Sequence, residues 1–285
     1  MIHLNTYERN AQEAARQLAN AGIEPVDIVL QCGSGLASIA AGLLREASRL
    51  PLDAIPHLPT ATVTGHGKEA IFGRVGHARV LILTGRIHLY EGHDAAVAGF
   101  PAAIAAACNA KLFIATNAAG ALNPQYSPGD VMLHEDFINH QGDNAAACLD
   151  FTDTGQRFLS MNPPYYRQAQ AELKVRLRET GLSVHNGTYI AVRGPVYETR
   201  AEYMMMRGWG ADAIGMSTIP EVTVCRLFKL PVVGLSVMTN ECLKPGGTNH
   251  AEVVAVSQAA APLIAQALAA MLEDKSWLIR TGLDG

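Results

Sequence analysis

Residues 78–93 read ARVLILTGRIHLYEGH, and this stretch decides the class of fold. Its first half, ARVLILT, is a continuous apolar run of the kind found in strands that are buried on both faces of a sheet. Its second half follows a glycine and carries Arg86, His88, Tyr90, Glu91 and His93. A buried strand that ends in so many hydrogen-bonding side chains indicates a ligand site at its carboxyl end.

Strand-like and helix-like segments alternate along the rest of the chain. Helical patterns cover 6–21, 36–46, 94–109, 165–180, 198–208, 219–229 and 250–273. Strand-like runs cover 26–31, 61–64, 70–75, 78–84, 111–117, 130–139, 187–193, 211–217 and 231–240. Alternation of this kind predicts an α/β fold around a largely buried β-sheet flanked by helices.

No linker or internal repeat divides the chain, so we predict a single domain over residues 1–285. The least regular stretch, 140–164, is rich in Asp, Asn, Gly and Pro. We expect it to be a long loop that serves a site or an interface.

Composition excludes several classes of protein. The net charge of −4 and the lack of a basic run argue against a nucleic-acid partner. The N-terminal residues lack the apolar core of a signal peptide, and no apolar window suggests a membrane span, so we expect a cytoplasmic protein with no membrane partner. Five cysteines without a CxxC pair suggest neither a disulfide framework nor a zinc framework.

Polar residues follow several of the predicted strands at their carboxyl ends. In an open α/β sheet these ends lie along one crevice, where ligands bind. Side chains far apart in the sequence can therefore converge on one cleft: Ser34, Arg86, His88, Asn117, Tyr197, Glu198, Ser217 and Asn240.

The first candidates for an anion site are Ser34, Arg86 and His88. Ser34 lies between two glycines before an apolar helical pattern, where backbone N–H groups and a helix N-terminus could bind an oxyanion. A plain turn is the alternative. Arg86 and His88 point to the same side of an extended chain, and a guanidinium suits phosphate or carboxylate oxygens. The alternative here is a solvated loop with a surface pair between Arg86 and Glu91.

Other histidines give weaker signals. His66 lies between two glycines on a segment that could reach over a ligand, or it could be an ordinary turn residue. His134 and His140 are six residues apart, which does not match the spacing of a helical HExxH zinc site. We therefore predict no metal.

A second group of candidates suits a flat heterocycle. Tyr197 offers a ring for stacking, and Glu198 offers an acceptor for ring N–H groups. Glu198 could instead be a helix N-terminal carboxylate, and Ser217 or Thr218 could be a helix cap, with or without a binding role. The backbone N–H of Ala118 in the small-residue stretch NAAG could contact an anion, and Met216 could form an apolar wall.

The motifs together resemble the trimeric class of purine nucleoside phosphorylases. The resemblance rests on GSGLASIA, TVTGHGK, GRIHLYEGH, TNAAGALNP, GTYIAVRGPVYETRAE and GADAIGMSTIPEVTVCR followed by LPVVGLSVMTN, in that order over about residues 25–270. It implies that the sheet is mixed. Chain-specific departures include Tyr197 where Phe is more usual, Glu241 after Asn240, GHGK in place of GHAG, and Ala37 in place of a glycine.

The resemblance also implies roles for individual residues. Phosphate would contact Ser34, His66, Arg86, His88, the N–H of Ala118, and Ser217. Ribose would contact Tyr90, Met216 and His250, and the base would contact Tyr197, Glu198 and Asn240. Asn240, Glu198 and His88 would take part in catalysis. Phe158 would reach the sugar site of a neighbouring subunit in a homotrimer.

The activity implied is reversible phosphorolysis of purine nucleosides and deoxynucleosides, with inosine and guanosine preferred, to free base and ribose or deoxyribose 1-phosphate. Inorganic phosphate would be the co-substrate and no cofactor would be needed. Two alternatives remain open at this stage: a methylthioadenosine phosphorylase type of enzyme, which would favour an acidic residue in place of Asn240, and a non-catalytic nucleoside-binding sensor.

Overall fold

The strands form a nine-stranded sheet and a two-stranded ribbon in a computed structural model that describes residues 1–59, 67–152, 158–244, 247–274 and 276–282. They are β1 (Ile2–His3), β2 (Ile28–Gln31), β3 (Arg45–Pro51), β4 (Glu69–Val75), β5 (Ala78–Leu83), β6 (Leu112–Ala121), β7 (Val131–His140), β8 (Leu149–Asp150), β9 (Val184–Val192), β10 (Ala213–Gly215) and β11 (Val232–Glu241). The fold is a single α/β domain.

Helices alternate with these strands along the chain, and two helices follow the last strand. They are α1 (Leu4–Asn20), α2 (Ile39–Leu43), α3 (Ala95–Ala98), α4 (Phe100–Ala107), α5 (Arg167–Glu179), α6 (Arg200–Gly208), α7 (Ile219–Leu227), α8 (His250–Glu273) and α9 (Ser276–Thr281). The alternation predicted from the sequence is present, and most predicted elements match to within a few residues.

The large sheet is mixed, as the resemblance implies. Its strand order is β10-β9-β7-β11-β6-β2-β5-β4-β3. Parallel pairs link β10 to β9, β9 to β7, β11 to β6, β6 to β2 and β2 to β5, whereas β7 with β11 and the β5-β4-β3 edge are antiparallel. Because β10 also pairs with β6, the strands β10, β9, β7, β11 and β6 close into a ring. The ring brings the ends of distant strands close together.

Both faces of the central strands of the sheet are buried, which explains their continuous apolar runs. In β2, Ile28 and Leu30 contact the cluster that includes residues of α2, α5 and α8, whereas Val29 contacts the cluster that includes residues of α1, α4 and α7. Successive side chains of a strand point to opposite faces, so both faces of β2 need apolar residues. Burying one such side chain contributes about 1.5–3 kcal/mol.

Two predicted helices differ from the observed elements. The segment 36–46 forms only the short helix α2, and the chain then enters β3, which pairs antiparallel with β4 at the edge of the sheet. Pairing with a distant strand here overrides the local helical pattern. The segment 94–109 forms two helices, α3 and α4, with Gly99 at their junction and Pro101 in the first turn of α4. Proline is favoured there because its missing N–H is not needed.

Two further predictions concern irregular parts of the chain. The strand predicted over 61–64 lies outside the described residues. The stretch 140–164 is not one uninterrupted loop, because it contains β8, which pairs in parallel with β1 near the N-terminus. Residues 153–157 within it lie outside the described part of the chain.

Helix α8 is long and apolar enough to cross a membrane, judged by length and composition alone. The sequence expectation that no window suggests a membrane span is therefore wrong on this criterion. Its buried residues, among them Ala261, Ile264 and Leu268, belong to the cluster that covers one face of the sheet. A helix that covers a core in this way passes the same test as a membrane span. Length and composition are therefore weak evidence that α8 crosses a membrane.

Candidate active site

A cavity of about 340 Å³ lies where the carboxyl ends of β2, β5, β9, β10 and β11 meet the end of β6 and the start of α8. Its wall contains nearly every side chain that the sequence analysis proposed. The predicted residues that line it are Ser34, Arg86, His88, Tyr90, Asn117, Ala118, Tyr197, Glu198, Met216, Ser217, Asn240 and His250. Residues separated by more than 200 positions in the chain thus share one cavity wall.

Two predicted residues are not in this wall. His66 lies outside the described residues. Phe158 is described, is 91% exposed and does not line the cavity of its own chain. Its predicted role concerns a neighbouring subunit, so the isolated chain does not test it.

The turn that carries Ser34 depends on two close backbone approaches. A Cβ on Gly33 would lie 2.6 Å from the Cα of Asn117, and one on Gly35, whose φ is +76°, would lie 2.7 Å from the carbonyl oxygen of Val254. Both positions therefore require glycine. Helix α2 begins only at Ile39 and has five residues, so the expected helix N-terminus directly behind Ser34 is wrong.

Arg86 is 1% exposed, and three of its contacts fix the guanidinium. Its Nε donates to Oε1 of Glu221 at 2.7 Å, and its Nη1 donates to the carbonyl oxygen of Thr116 at 2.7 Å and to Oγ of Ser217 at 3.3 Å. Nη2 is buried and has no partner among the described residues. The Nη2 amino group of a buried cation is therefore available to a ligand.

His88 is held in place by Glu91. Oε1 of Glu91 accepts from the backbone N–H of His88 at 2.8 Å and lies 3.2 Å from Nδ1 of its ring. The ring also stacks on Tyr90, with 4.6 Å between ring centroids. The surface pair between Arg86 and Glu91 considered from the sequence is wrong, because Arg86 pairs with Glu221 instead.

Burial lowers the pKa of His88 below its ordinary value, and the hydrogen bond with Glu91 opposes that shift. The imidazole is therefore neutral at physiological pH and can donate one N–H while accepting at the other nitrogen. A neutral donor beside Arg86 adds a hydrogen bond to an anion without adding a second buried charge.

Ser217 and Thr218 lie between β10 and α7. The backbone N–H of Ser217 donates to the hydroxyl of Tyr189 at 3.3 Å, and Oγ1 of Thr218 accepts from Nδ2 of Asn117 at 2.8 Å. Thr218 is the N-cap residue of α7 but makes no side-chain cap hydrogen bond. The capping alternative for Thr218 is therefore wrong, because its hydroxyl faces Asn117.

Glu198 lies on the opposite side of the cavity and is partly buried. Its Oε1 is buried without a partner among the described residues, and burial raises the pKa of its carboxyl group. It is not a helix N-terminal carboxylate, because α6 is capped by Thr199 and Glu202, which exchange side-chain and backbone hydrogen bonds. Glu198 thus faces the cavity beside Tyr197 and Tyr203, and a hydrogen bond with the Tyr203 side chain of α6 opposes the rise in its pKa.

Asn240 follows a register shift in β11, where Thr239 interrupts the ladder with β6. A bulge of this kind re-aims the side chains next to it. Oγ1 of Thr239 donates to Oδ1 of Asn240 at 3.0 Å, and Nδ2 of Asn240 donates to Oγ1 of Thr248 at 3.2 Å. These contacts orient the amide so that its NH₂ group lies toward the cavity side that Thr248 lines.

Sequence reasoning missed several residues of the site. Tyr203, Cys242, Thr239 and Thr248 also line the cavity, and burial raises the pKa of the Cys242 thiol to about 12. Thr239 is within the quoted MTN motif and could have been found there, whereas Tyr203 reads as an ordinary residue of an amphipathic helix. Among the residues that the structure describes, no group of three or more His, Cys, Asp or Glu side chains is placed to hold a metal ion.

Comparisons with known proteins agree with this geometry. Residues 27–273 match the family model described as the phosphorylase superfamily. The chain is 37% identical to purine nucleoside phosphorylase 1 of Geobacillus stearothermophilus, over 80% of this chain and 83% of that protein.

Solved structures of Schistosoma mansoni purine nucleoside phosphorylase are similar too. The complex with adenosine has a TM-score of 0.86 and 30% identity, over 94% of this chain and 97% of that one. The complex with inosine has a TM-score of 0.85 and 30% identity, over 93% of this chain and 96% of that one. The chain therefore belongs to the phosphorylase superfamily and, within it, to the purine nucleoside phosphorylases, which are enzymes that transfer a pentosyl group.

Proposed function

We propose that this enzyme catalyses the reversible phosphorolysis of purine ribonucleosides and deoxyribonucleosides, giving free base and ribose or deoxyribose 1-phosphate. One observation carries the proposal: the cavity wall contains a buried donor, Nη2 of Arg86, and a buried acceptor, Oε1 of Glu198, that lack partners among the described residues. Buried polar atoms are nearly always paired. Phosphate supplies acceptors for the first, and a purine that carries N1–H supplies a donor for the second.

Phosphate binds on the Arg86 side of the cavity. Arg86 and the neutral ring of His88 donate to its oxygens, and the hydroxyl groups of Ser34 and Ser217 and the N–H of Ala118 add further donors. These five residues share the cavity wall. His66, which lies outside the described residues, completes the set by the family resemblance. One buried cation with several neutral donors suits a small oxyanion better than several buried cations would.

The nucleoside fills the rest of the cavity. Tyr90, Met216 and His250 surround the ribose, and Tyr197 packs against the flat base. Glu198 accepts from N1–H of the purine, while Asn240 donates to its N7/O6 edge. Because these residues lie in one wall with the phosphate group of side chains, sugar and phosphate can meet inside the cavity.

The proposed mechanism depends on the charges that develop on the sugar and on the base in the transition state. As the N-glycosidic bond breaks, the sugar gains oxocarbenium character and the purine gains negative charge. Bound phosphate, held by Arg86 and His88, stabilises the positive sugar and attacks C1′. Asn240 and Glu198 stabilise the leaving base, and donors that tighten in the transition state are the ones that accelerate the reaction. Losing one such donor costs about 3 kcal/mol, roughly a hundredfold in rate.

The base preference proposed for this chain is for 6-oxopurines such as inosine and guanosine. An ionised Glu198 matches their N1–H group but opposes the N1 lone pair of adenosine, and a buried mismatch of this kind discriminates strongly. Asn240 donates to a 6-oxo group, whereas an acidic residue in its place would favour a 6-amino group. The S. mansoni enzyme is described in complexes with both adenosine and inosine.

Several wider features belong to the same proposal. We place the whole activity in one domain over residues 1–285, with inorganic phosphate as co-substrate and without metal or organic cofactor. The enzyme acts in the cytoplasm as a homotrimer, without a nucleic-acid or membrane partner. Phe158, which is exposed in the single chain, contacts the sugar site of a neighbouring subunit.

The test is a steady-state assay of purified protein with inosine or adenosine at increasing concentrations of inorganic phosphate, with and without EDTA. Inosine should release hypoxanthine at a rate that saturates with phosphate, is unchanged by EDTA and exceeds the adenosine rate. Faster turnover of adenosine would favour the methylthioadenosine phosphorylase type. Binding of inosine without release of base at any phosphate concentration would favour a non-catalytic sensor.

A further inference from the structure

Thr218 has an unusual backbone conformation at the edge of the cavity. Its φ is +74° and its ψ is −44°, and the backbone N–H of Ile219 donates to the carbonyl oxygen of Ser217 at 2.9 Å. This is a γ-turn with a positive central φ, which is rare and strained for a β-branched residue. Such strain persists only where surrounding contacts hold it, and it concentrates at functional sites.

A chain of buried hydrogen bonds reaches Thr218 from the far side of β11. Nδ1 of His134 lies 3.0 Å from the hydroxyl of Tyr165, and Nε2 of His134 lies 2.7 Å from Oγ of Ser236. Oγ of Ser236 donates to Oδ1 of Asn117 at 2.7 Å, and Nδ2 of Asn117 donates to Oγ1 of Thr218 at 2.8 Å. All five side chains are buried. We call this series the relay.

The hydrogen bonds of the relay all donate in the same direction, from Tyr165 toward Thr218. The Ser236 hydroxyl carries one hydrogen, which it gives to Asn117, so Ser236 accepts from Nε2–H of His134. Nδ1 of His134 is then an acceptor, and Tyr165 donates to it. Complete burial, and then the charge of Arg86, lower the pKa of His134 to about 3, so the ring is neutral as this arrangement requires.

The same series of donated hydrogen bonds can extend from Thr218 to Ser217. Oγ1 of Thr218 accepts from Asn117, so its own hydrogen can be donated to Oγ of Ser217 at 3.3 Å. Nη1 of Arg86 also donates to Oγ of Ser217, at 3.3 Å. With two donors on its oxygen, Ser217 has its own hydrogen left to donate. The Tyr189 hydroxyl is one neighbour of the Ser217 side chain, and the cavity that Ser217 lines is the other.

We propose that His134, Ser236, Asn117 and Thr218 are positioning residues that aim the hydroxyl hydrogen of Ser217 at the anion in the cavity. The inference rests on the proposed function, because the anion it concerns is the phosphate co-substrate. None of these residues except Asn117 lines the cavity, so the other three act through Ser217. Their removal should weaken phosphate recognition more than nucleoside recognition.

The experiment measures KM for phosphate and for inosine in the full-length enzyme. Ser236→Ala should raise KM for phosphate about tenfold, as expected for a weakened hydrogen bond to a charged group, with a smaller change in KM for inosine. Thr218→Val should do the same, and Thr218→Ser, which keeps the hydroxyl, should restore the wild-type value. Thr223→Ala is the matched control, since it removes a buried hydroxyl that donates to the carbonyl oxygen of Ile219 in α7.

A double-mutant cycle separates positioning from a general structural effect. In a Ser217→Ala background, Ser236→Ala should cause no further rise in KM for phosphate, because the relay acts through the missing hydroxyl. Additive effects would overturn the inference, as would an unchanged KM for phosphate in both Ser236→Ala and Thr218→Val. If the wild-type enzyme released base without any need for phosphate, the proposed function itself would fail, which is a separate outcome.

Discussion

Nε of Arg86 and Oε1 of Glu221 lie 2.7 Å apart, and each side chain is only 1% exposed. The pair joins the loop after β5 to the first turn of α7, so Glu221 fixes the guanidinium on the side of the cavity where we propose that phosphate binds. Taking both charges out of water is costly, and the pair is tolerated because each charge compensates the other. Glu221 thereby helps to hold Arg86 in a position where Nη2 remains available.

Removing Glu221 should destabilise the protein strongly. Glu221→Ala leaves a buried guanidinium without its counter-charge, so the free energy of unfolding should fall by about 3–5 kcal/mol. Urea denaturation followed by circular dichroism measures this change. The control is Glu69→Ala, which breaks a half-exposed pair with Arg49 at 2.7 Å and should cost no more than about 1 kcal/mol. Equal losses in the two variants would contradict the structural importance of the Arg86–Glu221 pair.

Arg86→Lys should weaken phosphate binding while preserving the charge. Lysine can still pair with Glu221, but it lacks the planar fork that reaches Glu221, Thr116 and a ligand at the same time. We expect KM for phosphate to rise at least about tenfold, a loss of roughly 1.4 kcal/mol, with a smaller effect on KM for inosine. Arg79→Lys is the matched control, because Arg79 makes an equivalent two-pronged contact with Asp27 on another part of the sheet. Similar phosphate kinetics in both variants would remove Arg86 from the phosphate site.

Base selectivity should depend on pH through Glu198. Burial raises the pKa of this carboxyl group, so the protonated form persists to a higher pH than in an exposed glutamate. Protonated Glu198 donates to N1 of adenosine, whereas ionised Glu198 accepts from N1–H of inosine. The ratio of kcat/KM for adenosine to that for inosine should therefore rise as pH falls from about 8 to about 5. In Glu198→Gln the ratio should not depend on pH, and a ratio that falls with acid in the wild-type enzyme would contradict the assignment.

Phe158 should act across a subunit interface. In solution the enzyme should have about three times the mass of the 30.3 kDa chain, which light scattering measures. Phe158→Ala should raise KM for inosine several-fold and leave KM for phosphate nearly unchanged, because the contact is with the sugar. Val175→Ala, another exposed apolar position, is the control. A monomer, or an unchanged KM for inosine, would exclude this role.

The sequence predicts the general placement of the site because the end of a buried strand can be recognised from neighbouring residues alone. An apolar run that ends in Gly85 and Arg86, or in Asn240, can be recognised without knowing the fold, and the rule that carboxyl ends share a crevice then brings such residues together. β3 is different, because its strand conformation depends on pairing with β4, and residues 36–46 alone suggest a helix.

Partnerships between distant residues could not be read from the sequence. Arg86 has Glu91 five residues away, yet its partner is Glu221, 135 residues further along the chain. In the sequence, Glu221 is an acidic residue near the start of a helical pattern, and the helix dipole is a sufficient reason for an acidic residue there. His134 likewise gave no signal of the relay, because its contacts lie on three other segments that only the folded sheet brings together.

The most direct test follows both products of the reaction in one sample. Inosine and inorganic phosphate are incubated with the enzyme, ³¹P NMR records the phosphate species, and chromatography records hypoxanthine and free ribose. We predict that ribose 1-phosphate appears in equal amount to hypoxanthine while inorganic phosphate falls by the same amount. Hypoxanthine accompanied by free ribose, with inorganic phosphate unconsumed, would show hydrolysis and would contradict a cavity that holds phosphate beside a purine nucleoside.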